Sequence, residues 1–512
     1  MRFRVAVWIR TLVAFIGALT APAIAFANEP RLAVIIVVDQ MRADYLDRYR
    51  SHLHGGLARM MREGVWFQNA WVDHAYTNSL PGHTSIATGS YPRRHGVVDN
   101  VWHERVDDTW QVRSGFSLVD RVDGEPYGLG APTLAEWLGA SRPDAIFAAI
   151  GTNAAVRLYA GSRRGTVLWL STEDEAYVTN GNYTSSPEWP EWLMEFNKYQ
   201  AESRPTEWRS MIPVAVAADL RSDESIFENR GAEIAFPHQL ESFEAYVASP
   251  FADQATLRLA VNAVQELGLG RDATPDLLMI SLEALDSVGH AYGPLSHEQT
   301  DAVFRLDENL GVFFDDLDRL VGPGEWMVVL SADHGVAIAV EQRQLDGSAE
   351  GRRVTQEEAR RLAEAAYAAA SSADNPTASA RQAILAFDFV DRVYSQTQVA
   401  AMSEEANSVE GLLARSYWPG RVPAHPFYIR DLPIAELGLQ VILDEHVVVD
   451  WATAIHGSHY DYDRRVPFLV LGAGVAPGQR RDRVATVDIA PTVAARIGVT
   501  APGSLDGRDV LR

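Results

Sequence analysis

Six residues that can ligate a metal recur in similar local settings along this chain. Asp39, Asp286, His290, Asp333, His334 and His456 each lie at or just after a strand-like apolar run, or in a glycine-containing loop. Asp286 and His290 are four apart, so one helical turn aims both side chains at one point. Asp333 and His334 are adjacent. Neighbours in an extended segment point to different sides, so this pair could reach two different ions. Each residue alone has a plain reading: Asp39 as a helix cap, D-x-x-x-H as a surface pair, "DHG" as a turn. Together, six nitrogen and oxygen ligands without cysteine suit two divalent cations of the zinc type, three ligands to each.

A seventh residue could use such cations. In "AYTNSLPGHTSIATGSYPRRHGVVDN", residues 75–100, Ser79 stands just before Pro81-Gly82, read as a break, with "HTSIATG" as a following helix. A serine hydroxyl is a weak nucleophile until a base or a metal activates it. Two metals roughly 3.5–4 Å apart stabilise the attacking and leaving oxygens of an in-line displacement. A helix N-terminus beside them favours an incoming anion. Asn100, about twenty residues on, has an amide able to donate to a non-bridging phosphate oxygen.

Such residues need a rigid frame. "RLAVIIVVDQMR", "PDLLMISLEALDSVGH", "EWMVVLSADHG" and "VPFLVLGAG" read as short buried parallel strands, the last directly after "HGSHYDYD". Between them, Val303, Leu306, Leu310, Phe313, Phe314 and Leu317 recur at helical spacing. The expected fold is α/β: three layers, α/β/α, around a mostly parallel sheet, with ligands beyond the carboxyl ends of the strands. Two stretches fit the alternation poorly, at about 170–250 and 338–430. Both are expected to be insertions capping the active edge of one catalytic domain, residues 28–512. The second holds a helix opened by a Thr355/Glu358 capping box. In the first, Tyr183, Trp189 and Trp192 could stack a base or an aryl group, although core packing is the commoner role of such residues.

Bulk properties narrow the setting. Residues 1–27 combine Arg2, Arg4 and Arg10 with a short apolar run ending Ala25-Phe26-Ala27, the pattern of a secretory signal peptide cut before Asn28. The expected location is periplasmic or secreted, with no membrane span after cleavage. The chain has no cysteine, which excludes disulfides and thiolate chemistry. Its formal charge is −23, and losing three arginines with the signal takes it to −26. That argues against a nucleic-acid or anionic-membrane partner, but not against a small anion drawn in by bound cations.

The motifs, in this order and spacing, resemble the alkaline phosphatase superfamily, and within it the nucleotide pyrophosphatase/phosphodiesterase branch. That branch includes periplasmic zinc alkaline phosphatases with a Thr nucleophile. The resemblance runs from "VVDQMRADYL" through "NSLPGHTSIATGSYPRRHGVVDN", "LDSVGHAYGP", "SADHGV" and "HGSHYDYDRRVPFLVLGAG" to "TVDIAPTVAARIGVTAPGSLDGR". It implies Ser79 as nucleophile, in a slot usually filled by Thr, and Asn100 as the phosphate-oxygen ligand. It puts Asp39, Asp333, His334 and Ser79 on one zinc ion and Asp286, His290 and His456 on the other. His459, where related sequences often have Pro, is left facing the substrate or supporting the site.

The resemblance also implies what is missing. Monoesterases of the branch carry a Lys-x-Arg pair that contacts the phosphate, and its positions here hold Thr152 and Ala154. Arg157, Arg163 and Arg164 are near but off the spacing, with Arg157 the candidate substrate contact. The expected activity is therefore hydrolysis of phosphodiesters or nucleotide pyrophosphate bonds in small phosphorylated substrates, through a phosphoseryl intermediate. An alkaline phosphomonoesterase is the alternative. Phosphonate hydrolysis would use the same machinery. A sulfatase would need Arg where His83 stands in "SLPGH". A non-catalytic binding protein would be expected to have lost a ligand or the nucleophile, and neither is lost.

Overall fold

The computed structural model describes residues 29–512 except 119–120, 123–124, 127, 163–164, 184–188, 406–407 and 428–432. The expected signal peptide and Arg163 and Arg164 lie outside the described residues. The nine strands of the main sheet are β1 (Leu32–Val38), β2 (Val65–Phe67), β3 (Phe147–Gly151), β4 (Thr166–Ser171), β5 (Ala176–Val178), β6 (Asp276–Leu282), β7 (Trp326–Ser331), β8 (Phe468–Gly472) and β9 (Gly478–Arg480). Their spatial order is β5-β4-β3-β6-β1-β7-β8-β2-β9. The five from β4 to β7 in that order are parallel.

Both faces of the sheet are covered, which is why its central strands are apolar throughout rather than alternating. In β1, Leu32, Val34, Ile36 and Val38 enter one core and Ala33, Ile35 and Val37 the other. The helices that matter here are α1 (Gly56–Glu63), α2 (Ser79–Thr88), α3 (Leu134–Ser141), α4 (Pro250–Leu267), α5 (Ala284–Tyr292), α6 (His297–Leu320), α7 (Gln356–Ser371) and α8 (Ile489–Arg496). Helices α1, α4 and α6 pack on the first face, α3 and α8 on the second. The apolar stripe read along α6 is buried over its whole length.

One strand runs against expectation. β8 is antiparallel to β7. The chain enters it from the "HGSHYDYD" loop, which already lies at the active edge, so the strand can only run away from that edge.

The two stretches outside the alternation pack differently. Leu193, Phe196, Trp208, Leu240 and Tyr246 join the core of the first sheet face, with Trp189 and Trp192 partly buried against it. Residues 340–455 instead build a small core of their own around Leu362, Phe389, Val393 and Val441. It includes the pairings Arg352–Val354 with Val447–Val449 and Val390–Ser395 with Leu439–Leu443. The capping box at the start of α7 is present, with the Glu358 N–H donating to Thr355 Oγ1 and the Thr355 N–H to Glu358. No helix among the described residues is long and apolar enough to cross a membrane.

Candidate active site

Strand register delivers the carboxylates to one edge. Val38 pairs with Leu282 and Val37 with Ser331, so Asp39, Glu283 and Asp333 leave three adjacent parallel strands side by side. The six expected ligands form two groups, Asp39/Asp333/His334 and Asp286/His290/His456. Within each, ligand atoms lie within 4.8 Å of one another. Asp333 and His334 thus share a group rather than dividing between two. The chain bends at Asp333 instead of continuing β7, which lets neighbours face the same way.

In the first group His334 Nε2 lies 3.2 Å from Asp39 Oδ1 and 3.6 Å from Asp333 Oδ2. In the second, Asp286 Oδ1 lies 3.3 Å from His290 Nε2 and 3.4 Å from His456 Nε2. All three histidines are oriented alike: Nδ1 sits against a backbone carbonyl, of Gly335 at 3.0 Å, Ala454 at 2.7 Å and Thr77 at 2.9 Å. An Nδ1–H donated outward leaves the Nε2 lone pair facing the group, the arrangement of metal-ligating imidazoles. The rings of His334 and His456 stack at 3.7 Å, which brings the two groups together.

The electrostatics call for cations. Burial, reinforced by neighbouring carboxylates, pushes Asp39 and Glu283 well above the usual carboxyl range. Burial acts the same way on Asp286 and Asp333, but the histidines around each, His290, His456 and His334 for the one and His334 and His83 for the other, together outweigh it and hold both low. Neither carboxylate oxygen of Asp39 has a hydrogen-bond partner among the described residues, although both are fully buried. Buried acceptors without donors are costly unless something positive meets them. The donor set fits two divalent cations.

Ser79 is the first residue of α2, and its Oγ lies 3.5 Å from His334 Nε2. The helix therefore begins at Ser79 and runs through Pro81-Gly82 instead of starting after it. In the first turn the N–H that proline lacks has no helical acceptor, so proline is tolerated there. Asn100 Oδ1 accepts the Leu80 N–H at 2.8 Å, which turns its NH₂ the other way. Asp99 anchors this corner: Oδ1 accepts from Asn78 Nδ2 and the Asn100 N–H, and Oδ2 from the His425 N–H. Ser79, Asn100, Asp286, His290 and His456 all line one cavity of about 530 Å³.

Two expected substrate contacts stand elsewhere. Arg157 packs its guanidinium on Phe116, 4.3 Å from the ring centroid, and does not line this cavity. His459 lines an adjoining cavity, which shares His425, Pro426 and His456 with this one, and burial lowers its pKa to about 4. Tyr183, Trp189 and Trp192 do not line the Ser79 cavity either.

Other residues have roles that the sequence did not assign. Gln40 joins the groups: its N–H donates to Asp333 Oδ1 at 3.2 Å and its amide to Asp286 Oδ1 at 2.6 Å. Its place directly after Asp39 was the available signal. His83, one helical turn after Ser79, sets Nδ1 3.0 Å from Asp333 Oδ2. Glu283 lines the cavity and accepts from the Asn153 amide, while Thr152 Oγ1 donates to Asp253 at 2.7 Å.

A family model described as type I phosphodiesterase / nucleotide pyrophosphatase matches residues 33–399. Alkaline phosphatase PafA of Elizabethkingia meningoseptica is 27% identical, over 98% of this chain and 98% of its own. Alkaline phosphatase PhoK of a Sphingomonas species is 28% identical, over 94% and 91%. The human ectonucleotide pyrophosphatase/phosphodiesterase family member 1 is 25% identical over 61% of this chain and 24% of its own. The crystal structure of PafA superposes with a TM-score of 0.82 at 25% identity, covering 94% of this chain and 98% of that one.

Proposed function

The chain belongs to the type I phosphodiesterase / nucleotide pyrophosphatase family, and we propose that, within it, this hydrolase favours phosphodiesters or nucleotide pyrophosphate bonds and works through a phosphoseryl intermediate on Ser79. Hydrolysis of phosphoric esters itself comes with the family. Asp39, Asp333 and His334 would hold one ion beside Ser79, and Asp286, His290 and His456 a second. When bound, such ions, proposed to be zinc, would supply Lewis-acid stabilisation to the attacking and leaving oxygens.

The protein's own groups do the rest. Ser79 Oγ gives up its proton to solvent and attacks phosphorus in line. The bond from phosphorus to the leaving oxygen breaks as the bond to Oγ forms. Water then attacks the phosphoserine, the bond to Oγ breaks, and Ser79 regains a proton. The Asn100 NH₂, fixed because its oxygen is held by the Leu80 N–H, donates to a non-bridging oxygen.

What supports the diester preference is the lack of cationic side chains where a monoester dianion would want them. Thr152 and Ala154 occupy the Lys-x-Arg positions, Thr152 is engaged by Asp253, and a carboxylate, Glu283, lines the cavity. No Lys or Arg stands among its described lining residues. A diester presents one negative charge at the reacting phosphorus and needs fewer such donors. The test is turnover of the zinc-loaded protein on a nitrophenyl phosphate monoester and a nitrophenyl diester. A higher kcat/KM for the diester is expected. The second reading, an alkaline phosphomonoesterase, is favoured by the names of the relatives matched over nearly the full chain, and faster monoester turnover would establish it. Export is part of the proposal: residues 1–27 would be removed, and N-terminal sequencing of the mature protein should begin at Asn28.

A further inference from the structure

We propose that the outer half of the Ser79 cavity is a subsite for a flat, uncharged aromatic leaving group stacked on the indole of Trp451. This rests on the phosphoester-hydrolase reading of the site, but not on its preference for diesters. The cavity of about 530 Å³ is of a size that takes a whole small molecule. A phosphoryl group fills only a small part of it.

The lining is divided. Ser79, Asn100, Glu283 and one ligand group, Asp286, His290 and His456, form a polar floor. Ala359, Pro426, Phe427, Val449 and Trp451 form an apolar wall. Trp451 is 46% exposed, unlike the other aromatic residue of that wall, Phe427, which is buried. Its ring centroid lies 4.6 Å from that of His290. His290 belongs to the ligand group away from Ser79, on the side where an in-line leaving oxygen departs. A ring carried by that oxygen would therefore reach the indole.

The indole stands on a braced loop. The Trp451 N–H donates to Val449 O at 2.9 Å, and its carbonyl accepts from the Arg230 guanidinium. Two residues on, the Thr453 N–H donates to His290 O at 2.9 Å and Thr453 Oγ1 to Ala291 O at 2.6 Å. Trp451 thus keeps its place relative to the ligand-bearing helix α5. Gln356, at the start of α7, is the polar side chain beside the apolar wall. Among the described lining residues no Lys or Arg pairs with an anionic ring.

The ring could belong to an aryl ester or to a nucleoside, and the test separates them. Binding of methylphosphonate, benzylphosphonate and the 5′-methylenephosphonate analogue of adenosine monophosphate is measured by calorimetry on the zinc-loaded full-length protein. None of these probes carries an ester bond to hydrolyse. The proteins are wild type, Trp451→Ala and Trp451→Phe, with fold checked by circular dichroism. Benzylphosphonate should bind roughly threefold to tenfold more tightly than methylphosphonate to wild type, the range expected for one ring stack. Trp451→Ala should bring that ratio close to one, and Trp451→Phe should keep much of it. Tighter binding of the adenosine probe than of benzylphosphonate, again dependent on Trp451, assigns the subsite to a nucleoside; the reverse order assigns it to an aryl ester. A ratio unchanged in Trp451→Ala, or no preference in wild type, overturns the subsite. Failure of all three probes to bind wild type, methylphosphonate included, overturns the phosphoester reading with it.

Discussion

At the scale of single residues, the site separates groups that react from groups that aim them. In the proposed mechanism Ser79 contributes only its hydroxyl, so Ser79→Ala should cut turnover by roughly a thousandfold or more. Zinc uptake, measured by elemental analysis, should stay unchanged, because the six candidate ligands remain. Wild-type-like rates would remove Ser79 as nucleophile. Gln40 has the opposite profile. It touches a carboxylate of each group, through its N–H and its side-chain amide, and sits at φ 63°, an uncommon conformation for a residue with a side chain. Gln40→Ala should lower zinc affinity by roughly tenfold to a hundredfold, as loss of an outer partner of a ligand does. A chelator competition titration reads this directly, and an unchanged affinity would make Gln40 a bystander.

At the scale of elements, α2 is pressed against the segment that bears Asp333. A Cβ placed on Gly82 would come within 2.6 Å of both Asp333 Cβ and Asp333 O. Glycine is needed here for close approach, since the residue is ordinary helix. Gly82→Ala must push α2 away or displace Asp333. It should cost about 1–3 kcal/mol of stability, as overpacking does, and should also weaken zinc binding, because the displaced group is a candidate ligand. Thermal melts with and without zinc separate these effects. An alanine variant with wild-type stability in both conditions would mean the contact relaxes freely. The second element of note is the loop from Val449 to His456, which carries Trp451 at one end and a candidate ligand at the other. Its attachment to His290 and Ala291 through Thr453 ties the wall of the cavity to its floor.

At the scale of the whole molecule, acidic groups are concentrated in the buried interior as well as overall. Glu228, far from the ligands in sequence, is buried, and burial with repulsion from Glu298 and Asp223 pushes its pKa up to about 9. A carboxyl whose folded pKa is raised stabilises fully only below its unfolded value near 4.5, and the contribution is lost as pH rises towards 9. Glu228→Gln should therefore match wild type near pH 4.5 and exceed it at pH 9 by a few kcal/mol, since each pKa unit is worth about 1.4 kcal/mol. Paired melting curves across that range check the sign. A variant less stable than wild type at pH 9 would show that the ionised carboxylate is paired after all.

Local chemistry and local periodicity were legible in the sequence. The ligand types, their position after apolar runs, the i, i+4 spacing of Asp286 and His290, the stripe of α6 and the Thr355 capping box are all set by neighbours within a turn or two, and all are present in the fold. Long-range pairing was decided only by the tertiary structure. Asp39 meets His334 across 295 positions because β1 and β7 lie side by side, and no local rule encodes that register. The same holds for the direction of β8, set by where its preceding loop had to be, and for the bend that puts Asp333 and His334 in one group, which the family resemblance implied but the local pattern left open. It holds too for Trp451, ordinary in composition, whose place over His290 exists only because two distant segments brace its loop. Side-chain type fixes what a residue can do, and strand order and loop closure fix what it does it to.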